Sequence, residues 1–362
     1  MRFYNIFFIS MIVLFIICQK IKIPKFLAKY NHNELYLLIT FIILFLISAL
    51  RGSDVGTDTK TYMTMFNEIG INDIKSFSSM EPLFYLLNSV TYFISSNNHA
   101  IIFVMSLITI FSFGLYIFHF SKDYLLSVII FLGLGYYFLT FNISRQMLGF
   151  SMILFSLYFY QKDDNKLSFL FLIFAVLTHY SMLVWLPFYV FSYFKINTKK
   201  LLMIICSLPI FVIFFLLIFN KVVVFTHYFV YLDETISRSL PYYLFFCFKL
   251  FCLCLFFYKR KNEYLDKGNM ILIYSLLINL IVDILTIRYS YFARLTYCVE
   301  PYLIITIPLL IREKFRDKYK MLCYIFFVLV GLVFINTVID NNSFFGIVPY
   351  NMIFDFCFGG LT

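Results

Sequence analysis

Long apolar runs alternate with short polar turns from one end of the chain to the other. The runs are roughly 15 to 20 residues long, close to the ~20 helical residues that cross a hydrocarbon core of ~30 Å. No stretch of soluble character separates them, so the pattern predicts an all-α, polytopic integral membrane protein that forms a single domain over residues 1–362. Spans are expected near 3–18, 34–50, 99–118, 124–140, 146–160, 166–178, 181–195, 201–219, 241–259, 269–287, 294–311 and 321–339. That is about twelve transmembrane helices in all.

Two places break the rhythm. The stretch Arg51-Gly-Ser-Asp54-Val-Gly-Thr-Asp58-Thr-Lys-Thr-Tyr62 concentrates a cation, carboxylates and hydroxyls where the chain should leave the membrane. Asp58 reads as an N-cap, and Tyr62, Met65, Phe66 and Ile69 recur at the i, i+3, i+4, i+7 spacing of a helix lying on the surface. Glu81-Pro82 then opens a run that ends near Ile94. About 13 helical residues rise only ~20 Å, which predicts a helix that dips into the bilayer without crossing. Residues 51–98 are thus expected to be an outer loop with surface and re-entrant helices.

The second break falls between Lys166 and Lys195, where the chain must go out and return through two short helices parted at His179-Tyr180-Ser181. Interrupted helices are tolerated in a membrane where they line a protein cavity. His179 is therefore expected at the outer end of one.

Composition agrees with the pattern: 62% of residues are hydrophobic and 13% charged, far from the soluble norm. A net charge of +10 invites a nucleic-acid reading, but the cations sit in turns between apolar runs rather than along one soluble face. The clusters at 20–29, 122, 162–166, 195–200, 259–267 and 312–320 instead fix topology by the positive-inside rule, which places them in the cytoplasm and both termini outside. The first run lacks a small-residue cleavage site and is followed by Lys20 and Lys22, which favours a retained span. Cysteines fall inside apolar runs without ligand spacing, so no metal site is expected. The 50 Phe and 29 Tyr read as lipid-facing bulk and interfacial rings, with a minority stacking on sugars.

On that topology Arg51, Asp54, Asp58, Glu81, Arg145, His179, Arg288 and Arg294 all come to the outer boundary. Guanidinium keeps its charge and presents a planar fork suited to phosphate oxygens, so Arg51, Arg145, Arg288 and Arg294 are the candidate ligands of an anionic phosphate or diphosphate. Snorkelling at helix ends is the competing reading of each. Asp54, Asp58, Glu81 and His179 are the candidate general bases toward a sugar hydroxyl. Capping for Asp58, and a satisfied histidine at a helix break for His179, compete with that role. Tyr62 and Gln146 stand beside these as candidate glycan contacts.

Taken together and in order, Arg51-Gly-Ser-Asp-Val-Gly-Thr-Asp-Thr59 with Tyr62, Glu81-Pro82-Leu-Phe84, Asn142-Ile-Ser-Arg145-Gln146, and Thr178-His179-Tyr-Ser181 before Pro187 resemble the EpsG family of bacterial exopolysaccharide and capsule proteins. The resemblance implies a Wzy-like polymerase of capsule, exopolysaccharide or O-antigen, with a GT-C-like fold. It implies undecaprenyl-diphosphate-linked oligosaccharide as substrate, membrane lipid as surroundings, and a chain-length regulator and a flippase as neighbours in the pathway. No cofactor is implied, since the donor is already activated on lipid, and the chain carries neither a P-loop nor a dinucleotide fingerprint. A flippase for the same lipid-linked glycan would share the arginines but commonly shows internal repeats. A membrane acyltransferase or a noncatalytic assembly subunit is the third class; an acyltransferase would need a partner for His179 that the sequence does not reveal.

Overall fold

The structure, a computed structural model, describes residues 2–23, 29–70, 80–194, 196–222, 240–289, 292–339 and 345–353. His227, Asp233, Glu234 and Arg238 of the expected outer loop lie outside the described residues, as do Lys25 and Lys195. Among the described residues the regular structure is helical, apart from two isolated β-bridges, Arg51 with Met352 and Asn197 with Tyr264.

The helices are α1 (Arg2–Lys20), α2 (His32–Ala49), α3 (Thr59–Gly70), α4 (Pro82–Ile94), α5 (His99–Phe120), α6 (Tyr124–Gly133), α7 (Tyr136–Asn142), α8 (Ser144–Gln161) and α9 (Asn165–Thr178). A 3-10 turn, Tyr180–Trp185, leads into α10 (Leu186–Ser192), α11 (Thr198–Val222), α12 (Leu240–Phe257), α13 (Lys267–Arg288) and α14 (Ala293–Thr296). A second 3-10 turn, Glu300–Tyr302, precedes α15 (Leu303–Lys314) and α16 (Asp317–Phe334).

The polar turns between apolar runs hold the caps that start these helices. Asn31 and Glu34 close a capping box on α2. Asp123, Asp164 and Asp266 accept backbone N–H groups at the starts of α6, α9 and α13.

Every expected span coincides with helix, yet the count of about twelve is not reached on length and composition. Among the described residues seven helices qualify, or eight if α6 and α7, bent by 48°, form one crossing. Three of the remaining expected spans fall short for local reasons. α8 opens with Ser144-Arg145-Gln146, which lowers its hydropathy, and α9 has only 14 residues. The segment after His179 is half 3-10 turn and half a 7-residue helix. The expected surface and dipping helices are present as α3 and α4. On α3 the buried face is Tyr62, Met63, Phe66 and Ile69, with Met63 in the place expected for Met65. On α4 Phe84, Asn88 and Thr91 are buried while Leu86, Val90 and Phe93 stand exposed along the opposite face, as suits lipid.

The chain divides into two compact units, residues 1–182 with 303–362, and residues 183–302. In the first unit α8 packs along α9 and α5, α2 packs along α5, and α6 crosses α16. Phe41, Phe113, Phe131 and Phe150 stack through its middle at ring separations of 4.8 to 6.0 Å.

This unit has two chemically distinct ends. Arg312 donates to the Lys122 carbonyl, Tyr324 to Asp123 and Gln161 to Tyr116, which gathers the basic turns at one end. Loop 51–58, the α7–α8 break and residues 345–353 meet at the other. There Gly52 N–H donates to the Asn351 carbonyl at 2.7 Å, Gly56 N–H to Gly346 at 2.8 Å and Ile353 N–H to Leu50 at 2.9 Å.

In the second unit Trp185 is fully buried, donates to the Cys298 carbonyl at 2.8 Å and stacks near Tyr274, packing the turn after His179 against α13.

Candidate functional site

At the loop-bearing end of the first unit, three helix boundaries place three ionisable groups side by side. Glu81 sits at the N-cap of α4, where Pro82 removes one of the unpaired N–H groups; its side chain makes no cap bond and is left for other partners. Arg145 lies in the first turn of α8. His179 ends α9 in extended conformation.

Glu81 Oε2 is 2.9 Å from Arg145 Nη1, and Glu81 Oε1 is 2.9 Å from His179 Nδ1. The carboxylate is the hidden member, with its side chain 9% exposed against 25% for Arg145 and 23% for His179. Burial by itself would raise the Glu81 pKa, but the His179 hydrogen bond and the Arg145 guanidinium outweigh it and hold the carboxyl below its ordinary value. An ionised carboxylate only accepts, so the hydrogen on this bond belongs to His179 Nδ1, which leaves Nε2 with the lone pair in the neutral ring.

Gly149, one helical turn after Arg145, makes the approach of His179 possible. A Cβ there would meet His179 Cβ at 3.2 Å and Met182 Cγ at 3.1 Å. The Arg145 guanidinium also lies 5.6 Å from the centre of the Phe84 ring, and its backbone N–H donates to the Tyr62 hydroxyl at 3.4 Å.

The remaining candidates are placed differently. Arg51, expected as a diphosphate ligand, is 1% exposed. Its guanidinium donates to the Ser48 carbonyl at 2.6 Å, to Ser106 at 3.2 Å, to Thr59 at 3.2 Å and to Ser144 at 3.4 Å, and lies over the Phe141 ring. Burial lowers its pKa to about 10, so it stays charged at neutral pH. Its work is internal: it ties the 51–59 loop to α5 and to the start of α8, next to Arg145.

Tyr62 and Gln146, expected against the glycan, are both buried; Tyr62 lies edge-on to Phe84 and offers no open ring face. Burial and the Asp58 charge push its hydroxyl up to about 12. Asp54 is exposed and accepts from Asn351 at 2.8 Å, away from the cluster. Asp58 immediately precedes α3 and accepts the Thr57 hydroxyl at 3.1 Å. Arg288 and Arg294 belong to the second unit, both exposed, with Arg288 beside the Tyr289 ring. Among the described residues, no group of three or more His, Cys, Asp or Glu side chains is arranged to hold a metal ion.

Two features lay outside the expected set. Tyr180, next to His179, is exposed. In the second unit Lys249 Nζ lies 2.8 Å from both Asp283 Oδ2 and Glu300 Oε2, with Lys249 and Asp283 1% exposed. The signal for this triad was a lone Lys and a lone Asp, each inside an otherwise apolar run, since ionisable groups within spans seek one another.

A polytopic, all-helical membrane protein with a carboxylate held between a guanidinium and an imidazole at one end is the class that fold and site define. The family model of the EpsG family matches residues 34–352, nearly the whole chain, and takes in every residue of this cluster. The chain belongs to the EpsG family. No curated protein and no solved structure matches it.

Proposed function

We propose that this protein is a Wzy-like polysaccharide polymerase that joins undecaprenyl-diphosphate-linked oligosaccharide repeats on the outer face of the cytoplasmic membrane. Membership of the EpsG family supports the polymerase reading. The single structural observation that carries the mechanism is the bridge from Arg145 through Glu81 to His179.

In this reading a hydroxyl of one repeat attacks the anomeric carbon of the reducing-end sugar on another chain. The new C–O bond forms as the bond from that carbon to the diphosphate oxygen breaks. The electron pair leaves with undecaprenyl diphosphate, and the hydroxyl proton passes to His179 Nε2. Glu81 is a positioning residue: it fixes the imidazole and balances the charge that develops on it. Arg145 has one edge on Glu81 and is partly open, so it is placed to steady the leaving diphosphate, an electrostatic contribution of the kind that often dominates catalysis. Arg51 sets the position of Arg145 from below. Tyr180 offers a ring face for a sugar.

The outward orientation is supported by the chemistry of the two ends of the first unit, with the basic turns opposite the cluster. In this reading α8, α9, the segment 180–192 and α11 are counted as crossings alongside the longer helices, which makes twelve, and the GT-C-like fold is what the family resemblance implies.

Deletion of the gene with analysis of surface glycan tests the reading. Single repeats outside the cell with loss of long chains support a polymerase. Accumulation of lipid-linked repeats on the inner face contradicts it and indicates a flippase.

A further inference from the structure

The second unit contains a cavity of about 790 Å³ that lies apart from the polar cluster and has a different chemistry. Its lining includes Leu186, Val190, Phe191, Phe194 and Ile204, and a single charged side chain, Lys200. The cavity exists because α10 is only 7 residues long. At ~1.5 Å per residue it covers a fraction of the apolar thickness, and the length it leaves uncovered is walled by α10 on one side and by the start of α11 on the other.

The rim of this cavity carries the marks of a headgroup layer. Tyr193 and Phe194, just after α10, and Tyr264, whose backbone bridges to Asn197, are exposed there, as interfacial rings are. The basic turn after α12 is pinned to the start of α11. Thr198 donates to the Lys261 carbonyl at 3.0 Å, Lys199 N–H to Asn262 at 3.2 Å, and Leu265 N–H to the Ile196 carbonyl at 3.1 Å. Lys199 and Lys200 therefore share one rim with Lys259, Arg260 and Lys261, against Glu263 and an Asp266 that is committed to capping α13.

We propose that this cavity binds one anionic phospholipid, its phosphate on the Lys200 ammonium and one acyl chain along Leu186, Val190 and Ile204. Three observations carry the assignment: the apolar lining, Lys200 as the one charged side chain in that lining, and the excess of positive charge around it. A cavity of this size lies within the usual range for ligand sites, roughly 300 to 1,000 Å³. The assignment does not depend on the proposed polymerase activity.

Native mass spectrometry of the full-length protein, released from nanodiscs containing equal phosphatidylglycerol and phosphatidylcholine, tests it. The wild type should retain one phosphatidylglycerol in preference to phosphatidylcholine. Lys200→Gln should weaken that preference about fivefold, the effect of one lysine at an anionic headgroup. Val190→Trp, which sets an indole across the path of the acyl chain while leaving the charge in place, should reduce retention of both lipids, and an unchanged melting temperature of both variants in detergent guards against misfolding. Equal retention of the two lipids by the wild type, or unchanged retention in both folded variants, overturns the proposal. So does stoichiometric displacement of the phospholipid by added undecaprenyl phosphate, which would make the polyprenyl carrier the occupant.

Discussion

Glu81 is the residue on which the site turns, because one buried carboxylate holds both a cation and an imidazole at 2.9 Å. His179→Ala should lower chain extension by about 10²- to 10⁴-fold, the usual worth of a positioned general base. The readout is the length distribution of product glycan, with the amount of protein in the membrane unchanged. Glu81 also carries a pH signature. Its folded-state pKa lies below the unfolded value, so the folded protein binds fewer protons there than the unfolded chain. Its contribution to stability is full above the ordinary carboxylate range and is lost as pH falls through the lowered folded value. Thermal unfolding in detergent should therefore show the wild type losing more stability than Glu81→Gln between neutral and acidic pH; equal losses would mean that the ion pairs contribute nothing.

The sequence made Glu81, Arg145 and His179 candidates because each interrupts an apolar pattern at a helix boundary. It could not separate them from Arg51, Asp54 or Tyr62, which interrupt the same pattern. What separates them is side-chain direction: Arg51 turns inward to Ser48, Ser106 and Ser144, whereas Arg145 stays partly open. One-dimensional spacing does not encode that difference.

Among the elements, helix boundaries were legible to within a few residues because caps and polar turns mark them, as Asn31 with Glu34 and Asp164 do. Helix-to-helix approach was not, and Gly149 is the clearest case. Gly149→Val should push His179 and the turn after it away from α8. Chain extension should then fall at least tenfold, toward the level of the histidine variant, with insertion into the membrane retained; full activity of this variant would detach His179 from the mechanism.

The triad on α12, α13 and the Glu300 turn belongs to this scale as well. Lys249→Met leaves the buried Asp283 and the partly buried Glu300 without their cation and should cost about 3 to 5 kcal/mol. Adding Asp283→Asn and Glu300→Gln should recover much of that loss, since neutral partners no longer need a counter-charge. The melting temperatures of the single and triple variants decide it.

Across the whole molecule, the least legible feature is the return of the C-terminal segment to the loop at 51–58. It joins residues some 300 positions apart through backbone bonds that follow no periodicity, such as those of Gly52 to Asn351 and Gly56 to Gly346. Gly56 is required there twice over, by its φ of +92° and because a Cβ would meet the Phe141 carbonyl oxygen at 2.5 Å. A chain ending at residue 344 should still insert but lose polymerisation, since the loop that carries Arg51 toward the start of α8 would lose its backbone partners. Pulse labelling and glycan length measure the two outcomes separately.

The most direct test of the central claim is reconstitution of the purified protein in liposomes with an undecaprenyl-diphosphate-linked repeat and no nucleotide sugar. The wild type should yield long glycan and release undecaprenyl diphosphate in step with each linkage formed, while Glu81→Gln and His179→Ala yield neither. Long chains made at the wild-type rate by either variant, or no chains from the wild type, would contradict the account.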